Sequence, residues 1–186
     1  MPRWGVPTVA ALYRYPVKGF TPEPRDELVV QADGRIEGDR VLAFRFDGAE
    51  APQVIDGLDY WPKSHGLALM EFPSLARLRL RLDGDRVSIR DGERLLVDAP
   101  LDEDGRREIE GAVMAFVEAS PDARRLQSPV HLVGDGRTSR FQDRPRGYVS
   151  LHGAASVQDV DGVVPAPIDD RRFRSNVVVE GTDAWE

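Results

Sequence analysis

The chain has 186 residues, 41% hydrophobic and 31% charged, enough for one large domain or two small ones sharing a core. A net charge of −7 without any long lysine- or arginine-rich block excludes a nucleic-acid backbone as the expected partner, and no apolar run approaches the roughly 18 residues that span a bilayer. There is no cysteine, so these residues supply no disulfide, no thiolate nucleophile and no thiolate metal ligand; with no signal-type apolar core near Met1, the expected location is the cytoplasm.

Taken in order, Val9 to Tyr15 has strand character and stops at Pro16. Val17-Lys18-Gly19-Phe20 leads into a proline-bearing loop, Thr21 to Arg25, and Glu27 to Gln31 reads as a second short strand. Val41 to Phe46 reads as a third. Eight Asp-Gly pairs, starting at Asp33, Asp47, Asp56, Asp83, Asp91, Asp104, Asp135 and Asp161, punctuate the chain. The pair is a strong hairpin signal because a type I′ turn needs positive φ at both central residues. Leu78, Leu80 and Leu82 alternate with arginines. Val87 and Ile89 follow Asp83-Gly84, and Leu95 to Val97 follows Asp91-Gly92, so this stretch predicts a half-buried antiparallel meander.

One amphipathic helix is predicted from Arg106 to Ala119, with Ile109, Val113, Phe116 and Val117 on one stripe and Ser120-Pro121 as its stop. Val130 to Val133 is a further strand, Asp135 to Gly147 a polar arginine-rich loop, Tyr148 to Leu151 a strand, and Ala154 to Val160 a short second helix. The expected fold is mainly β, a barrel or strongly bent sheet with two α-helices, and a soft boundary near residue 120 divides 1–120 from 121–186.

No nucleophile elbow, Walker loop or His-Glu-x-x-His motif is present. His65, His131 and His152 are far apart in sequence, and His131, inside an apolar strand, reads as a core or edge histidine. Asp169-Asp170 reads as turn residues or as partners for the arginines that follow. The informative set is basic. Arg171, Arg172 and Arg174 precede Asn176 and the β-branched run Val177 to Val179, placed like an anion clamp at the mouth of a strand. Lys18 and Arg40 sit at distant boundaries, and Ser156 lies near a helix start that favours anions. In an acidic chain this pattern suits convergence on one anionic ligand; scattered surface charge would give the same pattern.

Tyr15-Pro16-Val17-Lys18-Gly19, Gly38-Asp39-Arg40 and Arg172-Phe173-Arg174-Ser175-Asn176-Val177-Val178-Val179 resemble the three main signatures of the MOSC family, the molybdenum cofactor sulfurase C-terminal domain proteins, with their preceding β-barrel region. Trp61-Pro62-Lys63-Ser64-His65 and Leu75-Ala76-Arg77-Leu78 are similar to a bacterial branch of it, and Ala155-Ser156 fits the family's small helix start. The resemblance implies a β-rich fold that holds the pyranopterin molybdenum cofactor. It further implies either sulfur carriage to molybdoenzymes or reduction of N-hydroxylated compounds, with a redox or molybdoenzyme partner protein. Matched by position, Lys18, Arg40, Ser156 and Arg174 would hold the cofactor's phosphate, Arg172 would belong to the same cofactor-binding set, and Asn176 would hydrogen-bond the pterin or fix the loop.

Three departures stand beside the resemblance. Gly19 replaces a usual serine, Ser175 replaces a usual proline, and the family's metal-binding cysteine, expected downstream, is missing. The resemblance therefore implies an incomplete C-terminal half, with catalytic competence left open. It also implies an open sheet edge along Arg172 to Val179, which would invite a homodimer. The competing expectation is a non-catalytic β-barrel module that binds a protein, or another phosphorylated small molecule, through the same cations.

Overall fold

The computed structural model describes residues 6–51, 53–55, 58–60, 62–127, 129–142 and 149–186. The Asp56-Gly57 turn, Trp61, Tyr148 and the end of the arginine-rich loop lie outside the described residues. In chain order the strands are β1 (Thr8–Arg14), β2 (Glu23–Arg25), β3 (Ala43–Phe46), β4 (Gln53–Ile55), β5 (Leu58–Tyr60), β6 (Leu78–Asp83), β7 (Arg86–Asp91), β8 (Arg94–Pro100), β9 (Val130–Val133), β10 (Leu151–Gly153) and β11 (Val177–Glu180). The helices are α1 (Glu103–Glu118) and α2 (Ala154–Asp161).

The meander forms as its alternation dictates. β6, β7 and β8 pair antiparallel in sequence order, with Leu78, Leu80 and Leu82 buried and Arg79 and Arg81 exposed. Gly84 and Gly92 take the positive φ that the two turns require. Asp104-Gly105 is not a turn. It is the first turn of α1, where a Cβ at residue 105 would run into the Pro100 carbonyl oxygen, so glycine lets the helix sit tightly on the end of β8. Asp102 caps the helix by accepting from the Gly105 N–H at 2.8 Å, and Glu103 and Asp104 complement its dipole. Ile109, Val113 and Val117 are buried against the same cluster as Phe44, Phe72, Leu75, Leu78, Ile89 and Val130. Phe116 is only half-buried.

β3 pairs antiparallel with β9, and β4 with β5. The remaining sheet has the order β10-β11-β1-β2. The predicted strand at Glu27 to Gln31 is absent: Val29 and Val30 are exposed, and Val30 makes only a single bridge to Ile36. The strand is instead β2, inside the proline-bearing segment. Pro24 is tolerated there because β2 is the outermost strand of its sheet, where a missing N–H costs little.

β11 is not an open edge. β1 flanks it antiparallel on one side and β10 adds to it in parallel on the other, so the chain's own Leu151–Gly153 takes the place expected of a partner chain. The architecture is sheet-rich with two helices, and the sheets do not close into a barrel among the described residues. No helix among the described residues is long and apolar enough to cross a membrane.

Candidate anion-binding cleft

The arginine-rich stretch begins as a single 3-10 turn, Asp170–Phe173, rather than as a strand. Asp169 caps this turn by accepting from the Arg171 backbone N–H at 3.0 Å. The same carboxylate takes the Arg171 guanidinium through Nε, at 2.8 and 3.0 Å, and through Nη2. Asp169 is therefore the partner of the arginine that follows it, and that side-chain hydrogen bond holds its carboxyl below the ordinary range.

Arg174 ends the turn in the left-handed region, at φ 54°, a conformation that costs a non-glycine residue about 1 kcal/mol or more. The kink points its side chain inward. Nη1 donates to the Phe20 carbonyl oxygen, and the guanidinium carbon lies 4.4 Å from the centre of the Tyr15 ring. Arg40 shows the same two features, a φ of 53° and a guanidinium 5.2 Å from that ring.

Tyr15 is fully buried, and its hydroxyl donates to the Ser175 carbonyl at 3.2 Å. Burial pushes the phenol up to about 12 against the opposing pull of Arg174 and Arg40, so it remains a neutral donor. Beneath it, Asp39 accepts from the Tyr15 N–H at 2.7 Å, from Asn176 Nδ2 at 3.3 Å and from the Arg40 guanidinium.

Asn176 is completely buried. Its amide also donates to the Tyr13 carbonyl at 3.1 Å, while its oxygen accepts from the Ser150 N–H at 3.2 Å and the Ser150 hydroxyl at 2.9 Å. All four of its side-chain hydrogen-bonding positions are engaged within the protein. Asn176 thus joins β1, the Asp39 turn and the strand entry at Ser150.

A third support is the segment after β9. Ser139 donates to the Asp39 carbonyl, Gln142 Nε2 donates to the Ser139 hydroxyl at 2.9 Å, and the Gln142 carbonyl accepts from Lys18 Nζ at 3.1 Å. Asp135 nucleates this loop. Partial burial works to raise its carboxyl, but donation from the Thr138 side chain, the Thr138 N–H and the Arg137 N–H, with the charge of Arg140, brings it down to about 2. A carboxyl depressed in the folded state contributes stability above its unfolded value and loses it as pH falls through the folded one. The stability gap between the native chain and Asp135→Ala, followed by urea unfolding, is therefore expected to be constant near neutrality and to close between about pH 4 and pH 2.

These elements enclose a cleft of about 570 Å³. Lys18, Lys63, Arg171, Arg172 and Arg174 line it, and Asp169 is the one carboxylate among its described lining residues. Ala68, Leu69, Met70, Pro73 and Ala76 form an apolar side. Arg172 is exposed, and its guanidinium makes no hydrogen bond or ion pair with the described residues. The structure thus brings together Lys18, Arg172 and Arg174.

Arg40 and Asn176 are not among the lining residues; they lie in the buried network behind. Ser156 is elsewhere, in the first turn of α2, where its hydroxyl accepts from the Trp185 N–H at 2.9 Å. No protein-family model and no curated protein matches the chain. Two of the five cations, Lys63 and Arg171, are outside the cofactor-binding set expected from sequence. Arg171 was readable as part of the clamp, whereas Lys63 reaches the cleft only because the segment after β5 folds back against β3.

His131 is an exposed edge residue of β9, with Asp47 at 3.6 Å and Glu110 at 3.9 Å. Among the described residues there is no group of three or more histidine, aspartate or glutamate side chains arranged to hold a metal.

Proposed function

We propose that the chain is a MOSC-type molybdenum-cofactor-binding protein, of the sulfur-carrier or molybdenum-dependent oxidoreductase kind, and that the cleft takes the phosphate of the pyranopterin. The observation that supports this most is electrostatic: in a protein of net charge −7, the described lining residues of one cavity include five cations and a single carboxylate. Guanidinium forks suit a phosphate, because two parallel N–H donors match two phosphate oxygens. The apolar side, Ala68 to Met70 with Pro73, offers a surface for the ring system next to that phosphate. The choice of a pterin over other phosphorylated compounds comes from the order of the sequence motifs.

The residues present fit the phosphate end of this cofactor and not its metal end. These 186 residues contain no cysteine, and no metal-ligand cluster lies among the described residues. No step at the metal is therefore assigned to this chain. The same observation favours a second reading, a non-catalytic module that takes another phosphorylated small molecule, or a protein partner, through the same cations.

Two measurements separate these readings. Molybdenum and pterin are assayed in protein made in a cofactor-producing host, and phenyl phosphate binding is followed by calorimetry. The proposal expects both to be positive, with Arg174→Ala weakening phenyl phosphate binding about ten- to a hundred-fold. Arg172→Ala, which removes no intramolecular hydrogen bond among the described residues, keeps the fold and weakens binding less. Phenyl phosphate binding without copurifying pterin or metal selects the second reading. Loss of both rejects the cleft as an anion site.

A further inference from the structure

The cleft already contains an anion of the protein's own. Asp169 engages Arg171 side-on through Nε and Nη2, the geometry by which a guanidinium takes a bound carboxylate or phosphate. Both groups line the cavity, and both remain substantially exposed, with side-chain accessibilities of 43% for Arg171 and 46% for Asp169. The pair is therefore open to an incoming ligand rather than sealed in the core.

We infer that Asp169 is a built-in competitor for the cleft: at rest it holds Arg171, and an arriving phosphate displaces it to recruit that arginine. This rests on the reading of the cleft as an anion site. The two roles of Asp169 meet at one oxygen: Oδ1 accepts from both the Arg171 backbone N–H and Nε, while Oδ2 takes Nε and Nη2. Its bond to the Arg171 backbone N–H shapes the 3-10 turn, while its bonds to the guanidinium neutralise charge inside the cavity. A ligand that draws the guanidinium away leaves Oδ1 its bond to the backbone N–H, so the turn keeps its cap. Arg171 leaving Asp169 would join Arg172 and Arg174, which sit on the same turn and at its end. The carboxylate left behind sets an affinity ceiling, which suits a site that must release its anionic cargo as well as hold it.

The test uses Asp169→Asn, because asparagine caps a helical turn about as well as aspartate but carries no charge. Phenyl phosphate is titrated into the native chain and the variant. Competition by an exposed carboxylate predicts binding about two- to five-fold tighter in Asp169→Asn. It also predicts that the Arg171 Nε resonance of the native chain moves on saturation towards its position in the phenyl phosphate-saturated variant.

Equal or weaker binding by Asp169→Asn, with the native chain still binding, overturns the competitor role and leaves the anion site standing. An unmoved Arg171 resonance at saturation does the same. Binding by the variant alone supports the inference strongly. Absence of binding by both proteins removes the anion site and the inference with it.

Discussion

Asp39→Ala is expected to cost about 3–5 kcal/mol, because it breaks a buried ion pair by removing one partner. Asp39 is 2% exposed and Arg40 8% exposed, so the carboxylate and the guanidinium it binds are both removed from water. Deleting the carboxylate leaves a buried cation without its counter-charge. It also orphans the Tyr15 N–H and one Asn176 amide hydrogen, each a further loss of about 1–3 kcal/mol before relaxation. Water entering the gap recovers part of this, so the whole does not add. Urea unfolding with an unchanged m-value would register the loss as a shift in midpoint. A loss under about 1 kcal/mol would mean that Arg40 finds solvent easily and that the network is not truly dry.

Gly19→Ser is the second large effect, and it bears directly on the sequence resemblance. A serine there would match the family pattern and add a hydroxyl beside Lys18. The structure gives it no room. Gly19 has a φ of +77°, and a Cβ would lie 2.6 Å from the Leu67 carbonyl oxygen and 2.7 Å from Ala68 Cα. Both obstacles are backbone and cannot swing aside. The left-handed conformation costs about 1–2 kcal/mol, and overpacking adds about 1–3 kcal/mol.

The displaced segment is the apolar side of the cleft, Ala68 to Met70, which Leu69 fixes by donating its N–H to the Gly19 carbonyl at 3.1 Å. Gly19→Ser is therefore expected to lose about 2–5 kcal/mol and to weaken phenyl phosphate binding rather than improve it. A serine variant with native stability and tighter binding would show that the cleft wall re-forms around the hydroxyl.

Elements with a strict period were readable from sequence. The Leu–Arg alternation of β6 and the four-residue spacing of Ile109, Val113 and Val117 each admit one secondary structure with a buried face. β2 was not readable, because two-residue alternation cannot be seen in three residues that include a proline. Val29 and Val30 mislead for the opposite reason: β-branched residues report strand propensity, but nothing in the sequence says that no neighbour arrives to pair with them.

The site divides in the same way. The types and approximate places of its cations were visible. Their depth was not, since whether an arginine faces a cavity or a buried carboxylate depends on the fold. Arg40 has its counter-charge in the preceding residue, Asp39, and Asn176 spends its amide on Tyr13, Asp39 and Ser150, so both act behind the cleft. Lys63 enters only through tertiary folding.

The order β10-β11-β1-β2 also has a temporal side. β1 begins at Thr8 and its partner β11 ends at Glu180, so that pairing closes a loop nearly as long as the chain. The meander and α1, by contrast, are made of neighbours in sequence and need no such closure. Loop closure of that span is entropically costly and slow. On a ribosome, the β6–β8 and α1 unit can collapse while the clamp is still unsynthesised. Arg174 then arrives last, docking on a Tyr15 made about 160 residues earlier. The cleft is thus a late product of folding, and any phosphate that binds it acts on a chain that has already completed its core.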